Sequence, residues 1–270
     1  EGNIMTSNAD NATLTYLEAF PNQFPVVPLK TGDFDAVALS QTAYEVLTSA
    51  GDPRLMRYAR PDNDDYGAGA TFSGAFNGSN SANCPKSGSR LGAQYYNDSE
   101  QTTAAELGLP MAEGMIMTYA EVAFLLAEAA VKGWIADDVE THYRQGIEAS
   151  LDYHQVDYAP FGWAGFSDFY ANSGVAYQTA TDIWEQKWLN SFFHGLEPFF
   201  ELRRWYFESG MDWDGIPFLA PPCENLNDDQ LPLRFLYPGE EQSLNARNYE
   251  AAVEALGGSN SQNASIWLVE

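Results

Sequence analysis

Positive charge is scarce in this 270-residue sequence: 13 Lys and Arg stand against 38 Asp and Glu, a formal net charge of −25. A surface that acidic repels a phosphate backbone and an anionic lipid surface, which excludes nucleic acid and lipid headgroups as partners. Cysteine is nearly absent. Cys84 and Cys223 lie far apart and lack the paired spacing of a zinc site, so one disulfide or two free thiols both fit. The three histidines, His142, His154 and His194, form no local ligand cluster with them, and no metal is expected. Long apolar runs are missing as well. The most apolar stretch, 122–134, is broken by Glu128 and Lys132 and falls short of the roughly 18 residues of a membrane span. Nucleophile-elbow, zinc-helix, phosphate-loop and dinucleotide signatures are all absent, so no catalytic residue and no cofactor can be named.

What the chain does contain is apolar and aromatic. Hydrophobic residues make up 45% and aromatic residues 14%, enough to exclude a collagen-like, low-complexity or wholly disordered chain. Residues 1–30, with Pro21, Pro25 and Pro28, read as an irregular lead-in. A helix follows over 36–49, capped by Asp35 or Ser40 and stopped by Gly51-Asp52-Pro53. From Ile116 the apolar residues recur at helical steps up to Gly133, and a second helix starts at Asp137-Asp138 and runs to Leu151. The small stripe Ala120, Ala123, Ala127 and Ala130 lets the two approach closely. Residues 116–151 thus read as an antiparallel helix pair of tetratricopeptide type. Residues 157–180 look irregular. A long helix then spans 182–208, capped by Asp182 and kinked at Gly195 and Pro198; a short helix covers 248–256, and 265–270 is extended. The fold class is mainly α, a single domain over 1–270 with long irregular loops.

The loop at 61–100 is the least ordinary segment. Gly, Ser, Asn and Asp fill 21 of its 40 positions, yet it carries Tyr66, Phe72, Phe76, Tyr95 and Tyr96. A solvated connector with anchoring rings and a ligand-binding loop are equally good readings. Trp and Tyr faces stack on sugar rings or peptide planes while their polar tips hydrogen-bond, which favours ligand capture. Asp62, Asn63, Asp64 and Asp65 superficially match a calcium loop, but the full ligand spacing fails and a solvated turn is the better reading. Glu197 and Glu201 sit one helical turn apart, and Glu201 is placed to pair with Arg204, so a charge-paired helix outweighs an acid–base pair.

Three ordered motifs carry a family resemblance. The first is Met117-Thr118-Tyr119-Ala120-Glu121 leading to Ala127-Glu128-Ala129-Ala130 and Gly133-Trp134. The second is Ile183-Trp184-Glu185-Gln186-Lys187-Trp188 with Gly195-Leu196-Glu197 and Arg203-Arg204. The third is Arg234, Tyr237-Pro238, Asn248-Tyr249 and Ile266-Trp267. Together they resemble the SusD/RagB family of Bacteroidota outer-membrane lipoproteins over about 52–270. The resemblance implies a nutrient-binding protein on the extracellular face of the outer membrane. Such a protein captures oligosaccharides or peptides for a SusC-type TonB-dependent transporter and catalyses no reaction. It implies also that the chain is the C-terminal portion of a longer protein, the lipid anchor and first helix pairs belonging to an N-terminal half. Tyr119, Glu121, Glu128, Trp184 and Arg204 would then hold helices together. Tyr66, Phe72, Tyr95, Tyr96 and Trp163 would contact ligand, and replacing Tyr95 and Tyr96 by Ala is expected to weaken binding without lowering Tm. A secreted carbohydrate-active enzyme and a structural helical-repeat adaptor are the alternatives.

Overall fold

The computed structural model describes residues 4–17, 20–26, 37–77, 82–84, 86–95 and 101–264. The lead-in is not wholly irregular. A short strand β1 (Ala12–Leu14) follows a 3-10 turn at Asn8–Asp10. Helix α1 (Gln41–Ser49) starts where the Ser40 hydroxyl accepts the Ala43 N–H, so Ser40 is a cap; Asp35 lies outside the described residues. One helical turn, α2 (Leu55–Tyr58), comes next, inside a stretch from Asp52 to Pro61 that is buried at every position.

The helix pair forms as expected, with its first boundary corrected. Gly114–Met117 is a strand, β2, which pairs antiparallel with β1 through Ala12↔Met117 and Leu14↔Gly114. Helix α3 (Tyr119–Val131) begins only after Thr118, whose hydroxyl accepts the Glu121 N–H. Helix α4 (Val139–Tyr153) is capped by Asp138, which accepts the Thr141 N–H at 2.8 Å. Ala120, Ala123 and Ala127 are buried, and on the facing helix Gly146 leaves room for a ring: a Cβ there would sit 2.6 Å from Phe124. Phe124, Tyr143, Ile147, Leu151, Phe169 and Ile183 form the centre of the resulting core.

Two further expectations are corrected. Phe169 belongs to a short helix, α5 (Phe166–Asn172), within the stretch read as irregular. The expected helix over 182–208 is two helices, α6 (Ala180–Asn190) and α7 (Glu197–Glu208). The break at 191–196 holds Phe193 and Gly195 with φ of +60° and +57°. Thr179 caps α6, with Asp182 completing the reciprocal box. The tail carries α8 (Gly239–Leu244) and α9 (Ala246–Ala255), so the expected terminal helix starts two residues early. Residues 265–270, read as extended, lie outside the described residues.

Of the family-marker residues, Glu128, Trp184 and Arg204 tie helices together, whereas Tyr119 faces a cleft beside α4. Arg204 on α7 donates to Glu128 on α3 at 2.8 Å and to Glu201 at 2.6 Å, while the buried Lys187 on α6 donates to Glu201 at 2.9 Å. Burial alone would raise the Glu201 pKa, but the hydrogen bonds from Arg204 and Lys187 overcome it and hold the carboxyl below its usual range. Trp184 stacks on the fully buried Trp205 with ring centres 5.8 Å apart. Cys84 and Cys223 form a disulfide.

Candidate functional site

The site is built from segments that are distant in sequence. The buried 52–61 stretch anchors the segment that carries Tyr95. Gly92 N–H donates to the Tyr58 carbonyl at 3.0 Å, and an added Cβ at Gly92 would collide with the Arg57 carbonyl, so only glycine permits this approach. The Gly92 carbonyl then accepts the Tyr95 N–H at 2.9 Å, a turn that carries the Tyr95 ring inward. There it stacks on Phe193, with centres 4.9 Å apart and planes 25° apart, and touches Phe24 and Phe192.

A cavity of about 230 Å³ opens against these rings. Its other walls are Met111, Met115 on β2, and Tyr153 at the end of α4. Gln94, Gln155 and Glu113 supply polar groups. The turn after α4 is pinned by Arg57, whose guanidinium donates twice to the Gln155 carbonyl, at 3.1 and 2.7 Å. Burial, with Glu113 nearby, pushes the Tyr153 hydroxyl up to about 12, so it stays a proton donor. Burial, reinforced by Arg54 and Arg57, pushes His154 down to about 3 and keeps its ring neutral. His154 Nε2 lies 3.3 Å from the Tyr58 hydroxyl, inside the fold. The arrangement therefore offers ring faces, amides, a carboxylate and a phenol: groups that hold a hydroxyl-rich ring in place.

Phe193 is the exposed member of the platform. It is 36% exposed and adopts the left-handed backbone region, a conformation that costs a bulky residue about 1–2 kcal/mol. Phe192 and Phe193 fall in the break between α6 and α7, inside the stretch whose sequence reads as one helix kinked at Gly195 and Pro198. Gly195 is the sequence signal that lies nearest to them.

The five aromatics expected to contact ligand do not converge. Tyr95 lines this cavity, though at 3% exposure it is core as well as wall. Tyr96 lies outside the described residues. Phe72 is half-buried and borders a separate cleft of about 190 Å³ with Gly51 and Phe161. Trp163 packs behind that cleft: its indole N–H donates to the Gly51 carbonyl at 2.8 Å and its ring meets Phe169 edge-on. Tyr66 is half-buried with its hydroxyl enclosed and, among the described residues, without a hydrogen bond. Burial also corrects the expectation that Tyr95 can be removed without thermal cost. Tyr95→Ala is expected to destabilise by about 2–3 kcal/mol, a loss visible in a denaturant titration.

The family model described as starch-binding and associating with the outer membrane, SusD-like, matches residues 1–238. The chain belongs to the SusD-like family. The match starts at residue 1, before residue 52, from which the resemblance is expected to run. A SusD homologue from Bacteroides fragilis aligns over 100% of this chain and 59% of its own, at 23% identity and a TM-score of 0.70. An outer-membrane protein of Bacteroides vulgatus gives the same coverage and identity with a TM-score of 0.69. A chitin-binding SusD homologue from Flavobacterium johnsoniae covers 99% of this chain and 56% of its own, at 17% identity and a TM-score of 0.62. The chain thus spans less than two thirds of the length of these SusD-like structures. No curated protein matches it. Among the described residues no helix is long and apolar enough to cross a membrane.

Proposed function

We propose that this SusD-like chain captures a neutral saccharide in the cavity beneath Tyr95 and Phe193 and passes it unaltered to a TonB-dependent transporter of SusC type. The protein would work on the extracellular face of the outer membrane, held there by a lipid anchor. The observation that carries the reading is the Phe193 ring, partly exposed on the cavity wall and stacked on Tyr95 from a left-handed backbone conformation of the kind that clusters at ligand sites. Family membership supports a carbohydrate ligand, and the chitin-binding relative makes N-acetyl chito-oligosaccharides the first probe. Charge selects against acidic glycans, since Glu113 sits at the cavity and the chain carries −25.

Isothermal titration with neutral and sulfated oligosaccharides tests this. A neutral glycan is expected to bind and to be recovered uncleaved after prolonged incubation, and sulfated glycans are expected not to bind. Phe193→Ala should weaken binding about tenfold or more, the value of a stacking contact of roughly 1–3 kcal/mol. Unchanged affinity in that variant removes the cavity from consideration, and cleaved glycan replaces capture with hydrolysis.

A further inference from the structure

A second concave surface lies at the other end of β2. The turn at Asn8–Asp10 is tied to α4 by Asn8, whose amide donates to the Ala149 carbonyl at 2.9 Å, and a cleft of about 430 Å³ remains between them. Tyr119, half-buried, forms one wall. Gln145, Glu148 and Asp152 form the other, at spacings of three and four residues that place them on one exposed face of α4. This cleft repeats the chemistry of the cavity: a tyrosine face with an amide and carboxylates around it. The two are neighbours along the chain: Asp152 lines the cleft and Tyr153 the cavity, and Met115 on β2 lines the cavity while Tyr119, which opens α3 two residues after that strand, lines the cleft. The cavity alone is below the roughly 300–1,000 Å³ of a site that encloses a whole ligand, a size suited to part of a longer chain.

We propose that the cleft between residues 6–9 and α4 is a second saccharide subsite, so that the ligand is a neutral oligomer bridging Phe193 and Tyr119. Sugar hydroxyls would donate to Glu148 and Asp152, and one ring would lie on Tyr119. Partial desolvation already raises the Asp152 carboxyl above its ordinary value.

The proposal rests on saccharide capture at the Phe193 cavity, and its test separates the two. N-acetyl chito-oligosaccharides of two to six units are titrated into the wild-type chain, into Phe193→Ala, and into the double variant Glu148→Ala/Asp152→Ala, whose two side chains are exposed. Wild-type affinity is expected to climb about tenfold with length. The double variant should keep the affinity for the dimer and lose about fivefold or more on the hexamer. Hexamer affinity unchanged in the double variant, or wild-type affinity independent of length, overturns the subsite while leaving capture intact if Phe193→Ala still weakens the dimer. No binding of any length overturns both.

Discussion

Arg54→Met is expected to destabilise the chain by about 3–5 kcal/mol, the cost of leaving one member of a buried ion pair without its partner. Arg54 is fully buried and Asp52 is 1% exposed. The guanidinium donates from Nε to Asp52 Oδ1 at 3.0 Å and from Nη2 to Oδ2 at 2.6 Å. It also reaches Gln186 on α6 and Ser150 on α4. Burial alone would lower the Arg54 pKa, but the Asp52 carboxylate beside it raises it, so the charge persists inside the core. Removing the cation strands Asp52 as an anion in a low-dielectric interior and leaves the Gln186 carbonyl oxygen without that donor. The double variant Asp52→Asn/Arg54→Met removes both charges and should recover a large part of the loss. Urea midpoints of the two single variants and the double variant decide it. A loss below about 1 kcal/mol in Arg54→Met would mean that the pair is solvated and holds nothing together.

That cluster shows why the scaffold was legible and the site was not. Helices α3 and α4 announce themselves locally: Thr118 and Asp138 are cap residues in sequence, and the alanine stripe repeats at helical steps. Their first boundary failed because Gly114–Met117 is as apolar as the helix after it. What makes it a strand is Ala12–Leu14, about a hundred residues earlier, a partner that periodicity within one window cannot show. Helix α5 was hidden for a related reason. It has seven residues, no side-chain cap, and a glycine before it, and it is fixed by burying Phe169 against α4. The cavity walls come from Tyr95, Met115, Tyr153 and Phe193, four segments joined only by the fold. Aromatic abundance in the 61–100 loop points to the right kind of residue, but Tyr95 alone among the described candidates reaches that cavity, and Met115, Tyr153 and Phe193 carry no local signal that sets them apart.

Replacing both cysteines by serine is expected to cost about 5 kcal/mol, close to the whole stability margin of an ordinary domain. The bridge joins positions 139 residues apart, and loop-closure entropy grows with the logarithm of that separation, which puts Cys84–Cys223 near the upper end of what a disulfide contributes. Cys84 is 2% exposed, so the link is anchored in packed structure, and the neighbouring Asn83 amide donates to Glu224 at 3.0 Å across the same junction. The closed loop contains all the walls of the cavity beneath Tyr95, yet neither cysteine lines it. Below its lowered unfolding transition the Cys84→Ser/Cys223→Ser variant should therefore bind as the wild-type chain does, while its urea midpoint falls. Separate replacement of each cysteine would confuse this result with thiol chemistry, which is why the pair is changed together. An unchanged midpoint would mean that the non-covalent contacts between the 82–84 segment and the chain after α7 already hold that junction in the unfolded ensemble. A structural bridge persists in an oxidising compartment, which agrees with a family that works at the outer membrane.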